Sequence, residues 1–208
     1  MKKFLLSFIL ISGLLFSQES NYQGFMNFSY NDDSGKIILE IDNLDSEFLY
    51  INSLSRGVGN NDLGLDRGQL GNSRMVYFTK RGNKILLIQP NLKYISNSSN
   101  ELENKAVEEA FARSVLFGFE IIEKSENSYK VDLTPFLISD AHGVSQRLSY
   151  SNSGSYNLNK SMSAIDLDRT KAFPENIEFD VLLTFTGNPS GNLVRSVTPT
   201  PSNLTVNQ

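Results

Sequence analysis

The sequence predicts a mostly β fold with one amphipathic helix, an α+β class in which antiparallel hairpins build a sandwich-like or saddle-like sheet. Three observations predict it. Short alternating or β-branched runs recur along the chain, turn chemistry rich in Gly, Asn and Asp separates them, and apolar spacing takes a helical period only once, between Glu101 and Phe117.

In chain order, Lys2 and Lys3 precede an apolar run from Phe4 to Ile11 that continues to Phe16, and Ser17 is a small residue suited to cleavage. Residues 1–17 therefore read as a secretory signal peptide, shorter than the ~20 apolar residues of a membrane span. The protein is expected to be exported (periplasmic, cell-surface or extracellular) with no stable membrane anchor. There is no cysteine, which excludes lipid attachment through one and leaves the domain to fold without disulfides. About 190 residues remain, enough for one domain with a core of its own. Without Lys2 and Lys3 the 19 cations fall to 17 against 23 acids, a balance of −6. A nucleic-acid partner is excluded on that ground, because phosphate-backbone affinity needs clustered Lys and Arg.

The strands follow from alternation and turns. Tyr22 to Tyr30 reads as a strand, Asn31 to Gly35 as a turn, and Lys36 to Ile41 as a second strand. Phe48 to Leu54 is a third. Arg74 to Lys80 and Lys84 to Gln89 flank Arg81-Gly82-Asn83 and read as a hairpin. A further hairpin joins Phe119 to Glu123 with Tyr129 to Leu133. Ile177 to Thr186 and Leu193 to Thr198 are read as a last pair, turned at Gly187-Asn188-Pro189-Ser190-Gly191.

Between them, Leu102, Ala106, Val107, Ala110, Phe111 and Val115 recur at helical spacing, with Asn100 and Glu103 placed as a capping box and Gly118 as a stop. This predicts a helix from Glu101 to Phe117 that docks by its apolar stripe, its charged positions forming a solvated face. Ser151 to Ser163 reads as a loop, and there is no internal repeat. The β-rich domain is thus placed at residues 18–198. Residues 199–208, with Pro199 and Pro201, read as a linker or a truncated junction to a further domain.

No complete catalytic site is legible. His142 is the single histidine, so a two-histidine zinc site cannot form within one chain, and the HExxH helix is absent. No Gly-x-Ser-x-Gly elbow presents a nucleophile. His142 reads first as a hydrogen-bonded residue ordering its own turn through Asp140, and second as a proton-transfer group. The Gly-rich run Arg56 to Gly71 departs from the dinucleotide fingerprint, because Asp62 stands where a third glycine is needed and no helix follows. It departs from the EF-hand loop too, although Asn60, Asn61, Asp62 and Asp66 could supply oxygen ligands. A structured connection held by Asp and Arg pairing is the simpler reading. The residues singled out for interdomain or substrate-facing contacts are Asp62, Asp66, Arg67, Asp140, His142, Arg169, Lys171 and Arg195, with pairing inside the domain as their default role.

Five runs carry a family likeness: NDLGLDRGQLG, VEEAFARSVLFGF, FLISDAHGV, RTKAFPENIEFDVLLTFTG and VRSVTP. In this order they resemble the N-terminal uncharacterised domain of large secreted bacterial zinc-dependent metalloproteases, over about Tyr22 to Val206. The resemblance implies a non-catalytic, β-rich accessory domain, with zinc and the HExxH helix in a downstream peptidase domain of the same polypeptide. It implies no cofactor in this chain and carries over no catalytic residue. The partner it implies is that peptidase domain, with a peptide substrate as a further contact. The Gly-rich connection from Asn61 and the turn from Asp140 to Val144 are expected to meet the peptidase domain. The alternative is a free-standing exported binding protein that takes a peptide or glycan at an exposed edge or loop.

Overall fold

A computed structural model gives the structure of the chain and describes residues 19–208. The leader expected over residues 1–17 lies outside the described residues. The chain is mostly β and its larger sheet is antiparallel and curled into a half-barrel.

That sheet begins with β1 (Glu19–Tyr22), β2 (Phe28–Asn31), β3 (Lys36–Ile41) and β4 (Phe48–Tyr50). It continues with the hairpin of β5 (Arg74–Arg81) and β6 (Lys84–Gln89), then β7 (Ser114–Lys124) and β8 (Tyr129–Asp132). The spatial order is β1-β2-β3-β8-β7-β6-β5-β4. Local turn chemistry makes the hairpins: Gly82 takes φ 60° between Arg81 and Lys84, and Gly35 takes φ 66° beside the Asn31 side chain, which accepts from the Ser34 amide. The single run expected from Tyr22 to Tyr30 is instead a hairpin, β1 and β2, with the chain turning at residues 23–27. Gly24 permits that turn to press on the Phe173 backbone, where a Cβ has no room. β3 alternates as read, burying Ile37, Leu39 and Ile41 on the concave face with Phe78, Ile85, Phe119 and Val131.

The smaller sheet is built around β11 (Ile177–Pro189). β10 (Ala164–Ala172) and β9 (Gly154–Leu158) lie in tandem along one side of it, and β12 (Asn203–Asn207) along the other. Its Phe179 ring sits 4.8 Å from Phe28, and Ile165, Ala172 and Ile177 close the barrel core from this side. A second core lies under the Gly-rich connection and a short helix at Val144–Tyr150, and joins Leu54, Leu63 and Leu65 to Leu183, Phe185, Leu204 and Val206.

Several expectations are corrected here. Helix α1 spans only Glu101–Ala110 and buries no residue; Leu102 is 76 % exposed. The Asn100 cap is real, its side chain accepting from the Leu102 amide. Phe111 is already extended, and Val115 belongs to β7, where it pairs with Ile88. The residues from Ser114 satisfy both a helical stripe and a strand, and the ladder offered by β6 decides for the strand. Two more helices are short: α2 (Thr134–Leu137) and α3 (Val144–Tyr150). The Ser/Asn-rich stretch read as a loop contains β9, whose Tyr156 is buried and donates to the Pro201 carbonyl. Leu193 to Thr198 is a turn and not the partner of β11; that partner is β12, within residues expected to be a linker. Leu204, Val206 and Asn207 are buried there, because an alternating run follows the prolines.

Candidate functional site

The polar side chains that the sequence singled out converge in part on one seam along β12. Asp180, buried on β11, accepts from Asn207 Nδ2 at 2.7 Å and from Ser55 Oγ, and pairs with Arg169 Nε at 3.1 Å. A register shift in β10 between Asp166 and Lys171 turns Thr170 inward, where its hydroxyl accepts from the Asp180 amide. A buried carboxylate satisfied on three sides in this way ties β10, β12 and the residue before the Gly-rich connection to β11.

One residue along, Gln208 reaches the turn that carries His142. Its Oε1 accepts from the His142 backbone N–H at 2.8 Å, and its Nε2 donates to the Ser139 carbonyl. Asp140 caps α3 with both carboxylate oxygens, accepting from the Val144 and Ser145 amides at 2.7 and 2.9 Å. The His142 ring meets the buried Asn52, whose side-chain amide shares a hydrogen bond of 3.1 Å with Nδ1, its direction following the tautomer of the ring. Nε2 is itself shielded from solvent and has no protein partner among the described residues. Burial, reinforced by the Arg147 guanidinium, pushes the His142 pKa below its ordinary value, while Asp140 pulls the other way. This imidazole is a neutral, packed group. Neither nitrogen is open to act on a bound substrate.

The other candidates disperse. Asp62 lies exposed within the single helical turn Asn61–Leu63, whose start Asn60 caps by accepting from the Asp62 amide. Asp66 takes part through its backbone, its N–H donating to Gln69 Oε1, and Arg67 is exposed. Lys171 is exposed on β10, and Arg195 donates to the Pro189 carbonyl at 2.9 Å. Leu63 and Leu65 from the same Gly-rich connection are core residues, so the connection covers the second core. Gly57 allows it to cross itself, lying where any Cβ would strike the Leu65 and Asp66 backbone. Among the described residues, no three His, Cys, Asp or Glu side chains are grouped closely enough to hold a metal ion.

Two surface features escaped the sequence reading. The chain between β6 and β7 forms an arm, carrying α1, on which Leu92, Tyr94, Ile95, Leu102 and Phe111 are exposed, and Val115 continues the patch at the start of β7. Tyr94, shortly after β6, and Phe111, shortly before β7, stack at 4.0 Å, so an aromatic pair fastens the two ends of the arm together. The helical period did pick out Leu102, Phe111 and Val115, but as core. The second feature is a cleft of about 440 Å³ at the mouth of the half-barrel, walled by Phe25, Phe48 and the connection from β3 to β4. Its residues are far apart in the ordering of the sheet, and no local motif announces them.

No curated protein and no solved structure matches the chain. Most of the seam lies in residues 68–208, while Asn52, Ser55 and the core residues Leu54, Val58, Leu63 and Leu65 precede them, and it is over residues 68–208, more than half of the chain, that the model of one family matches. The protein belongs to the family described as Domain of unknown function (DUF5117).

Proposed function

We propose that the protein is a non-catalytic accessory domain of an exported zinc-dependent metalloprotease, and that it docks against the peptidase domain through the arm between β6 and β7. The observation that carries the reading is the arm itself. A ten-residue helix that buries nothing, beside six large apolar side chains left in water, is costly on a free-standing surface and suits a face covered by another domain. The five runs that resemble the metalloprotease accessory domain are what favour a peptidase domain as that neighbour. The engagement of His142 by Asn52 supports a role without catalysis.

This reading moves the docking surface from the Gly-rich connection to the arm. The decisive observation on the gene is an in-frame HExxH segment after Gln208. In the polypeptide that carries both domains, Leu102→Glu with Phe111→Glu is expected to separate them, seen as protease-sensitive linkage and a larger hydrodynamic radius. The melting temperature of this domain should hardly change, since neither side chain is in its core. Absence of a zinc helix from the reading frame, or domains that stay associated in the double variant, would sink the proposal. A second reading, an exported peptide-binding protein, is favoured by the mouth cleft.

A further inference from the structure

The cleft at the half-barrel mouth has an unusual lining. Asp42 and Glu47 supply two carboxylates, Asn43 and Ser46 supply polar atoms between them, and Phe25 and Phe48 supply aromatic walls. No Lys, Arg or His lines it, and neither carboxylate enters an ion pair among the described residues. The rings meet edge-on with centroids 6.1 Å apart.

Both walls are fixed before any ligand arrives. The Asp45 N–H donates to the Phe78 carbonyl at 2.7 Å, pinning the middle of the β3–β4 connection onto β5, and Asp45 itself is held at φ 56°. Such a backbone conformation in a non-glycine residue persists where the surroundings enforce it. On the other wall, the Phe25 N–H donates to the Phe173 carbonyl at 2.8 Å. Unpaired carboxylates on a pinned loop, flanked by aromatic rings, attract a cation that has a flat or apolar body. A hydrated metal ion gains nothing from the rings and would want more oxygen ligands than two carboxylates give.

We propose that the mouth cleft binds the basic side chain of a peptide, Arg in preference to Lys, with Asp42 and Glu47 accepting from the guanidinium and the pair of Phe25 and Phe48 forming one aromatic wall against it. Arg is favoured because its planar fork matches carboxylates and stacks on rings. The inference rests on the cleft alone and goes beyond the accessory-domain reading.

The test titrates the protein with a blocked arginine dipeptide and with its citrulline counterpart, which keeps the size and removes the charge, following the amide signals of Asn43 to Phe48 by NMR. Saturable shifts are expected with the arginine peptide alone, weakening as salt is added. In the double variant Asp42→Asn, Glu47→Gln the affinity should fall about tenfold or more. Both side chains are exposed, so an unchanged melting temperature checks that the variant still folds. Equal response to citrulline, no saturable response, or unaltered affinity in the variant would each overturn the proposal. Saturation by calcium chloride with no response to the arginine peptide would overturn it too, and would make the cleft a metal site.

Discussion

Protonating His142 puts a charge on a ring packed against the buried Asn52 amide, in a space that Gly71 keeps tight, since a Cβ at Gly71 would collide with the Asn52 side chain. The fold therefore holds the ring neutral, with its pKa lowered from 6.5 first by burial and then by Arg147, against the smaller pull of Asp140. A depressed folded pKa means that the unfolded chain takes up the proton first as the pH falls. The stabilising effect of the neutral ring is complete above the unfolded pKa and is lost as pH drops through the folded one. Unfolding by urea between about pH 7 and pH 5 should then show a steeper loss of stability in the wild type than in His142→Asn. Parallel curves would mean that the Asn52 contact does not depend on the charge of the ring. Asp180 shows the contrasting solution at this scale, a charge kept buried by surrounding it with Asn207, Ser55 and Arg169.

At the scale of elements, the connection from Arg56 to Gly71 shows how far a reading by composition reaches. Its glycines and acids suggest a surface loop with a ligand-binding or interdomain role, yet its fixed points are the leucines between them. Leu65 is fully buried while Asp66 is engaged through its main chain. Leu65→Ala is expected to cost about 2–5 kcal/mol, and Asp66→Ala about 0.5 kcal/mol or less, in equilibrium unfolding. The reverse order would place the connection's worth in its charges. The hairpins β5–β6 and β7–β8, and the strand β3, were legible because turn chemistry and alternation are local properties. The end of α1 was not, because Phe111 to Phe117 suits two periods and only the free edge of β6 selects between them. Nor was the mouth cleft legible: Phe25 and Phe48 meet through the curl of the sheet, which depends on contacts far apart in sequence.

For the whole molecule, the second core is closed by the last strand as much as by the long ones. β12 completes the smaller sheet against β11 and buries Leu204 and Val206 in the second core. Its Asn207 pairs with Arg56 in a bridge that ties down the Gly-rich connection, and Val181 and Gln208 exchange backbone hydrogen bonds of 2.8 and 2.9 Å. Residues that prolines and polar composition had marked as a linker thus join β11, the connection and the His142 turn. Removing residues 203–208 exposes the apolar face of β11 and strips Asp180 of the Asn207 donor, so two of the large destabilising mechanisms act at once. The shortened protein is expected to lose the cooperative unfolding transition of the full chain and to bind a hydrophobic dye. Removing Gln208 alone should leave one transition, with its midpoint lowered by the lost contacts to Ser139 and His142. The barrel core contains no residue of β12, so hydrogen exchange separates the outcomes further. Protection should persist at Ile37, Leu39 and Phe119 and vanish at Leu183 and Phe185 if the cores are separable, and vanish at all five if the sheets fold as one unit. A truncated protein that melted with the full chain would show that β12 only decorates an already complete fold.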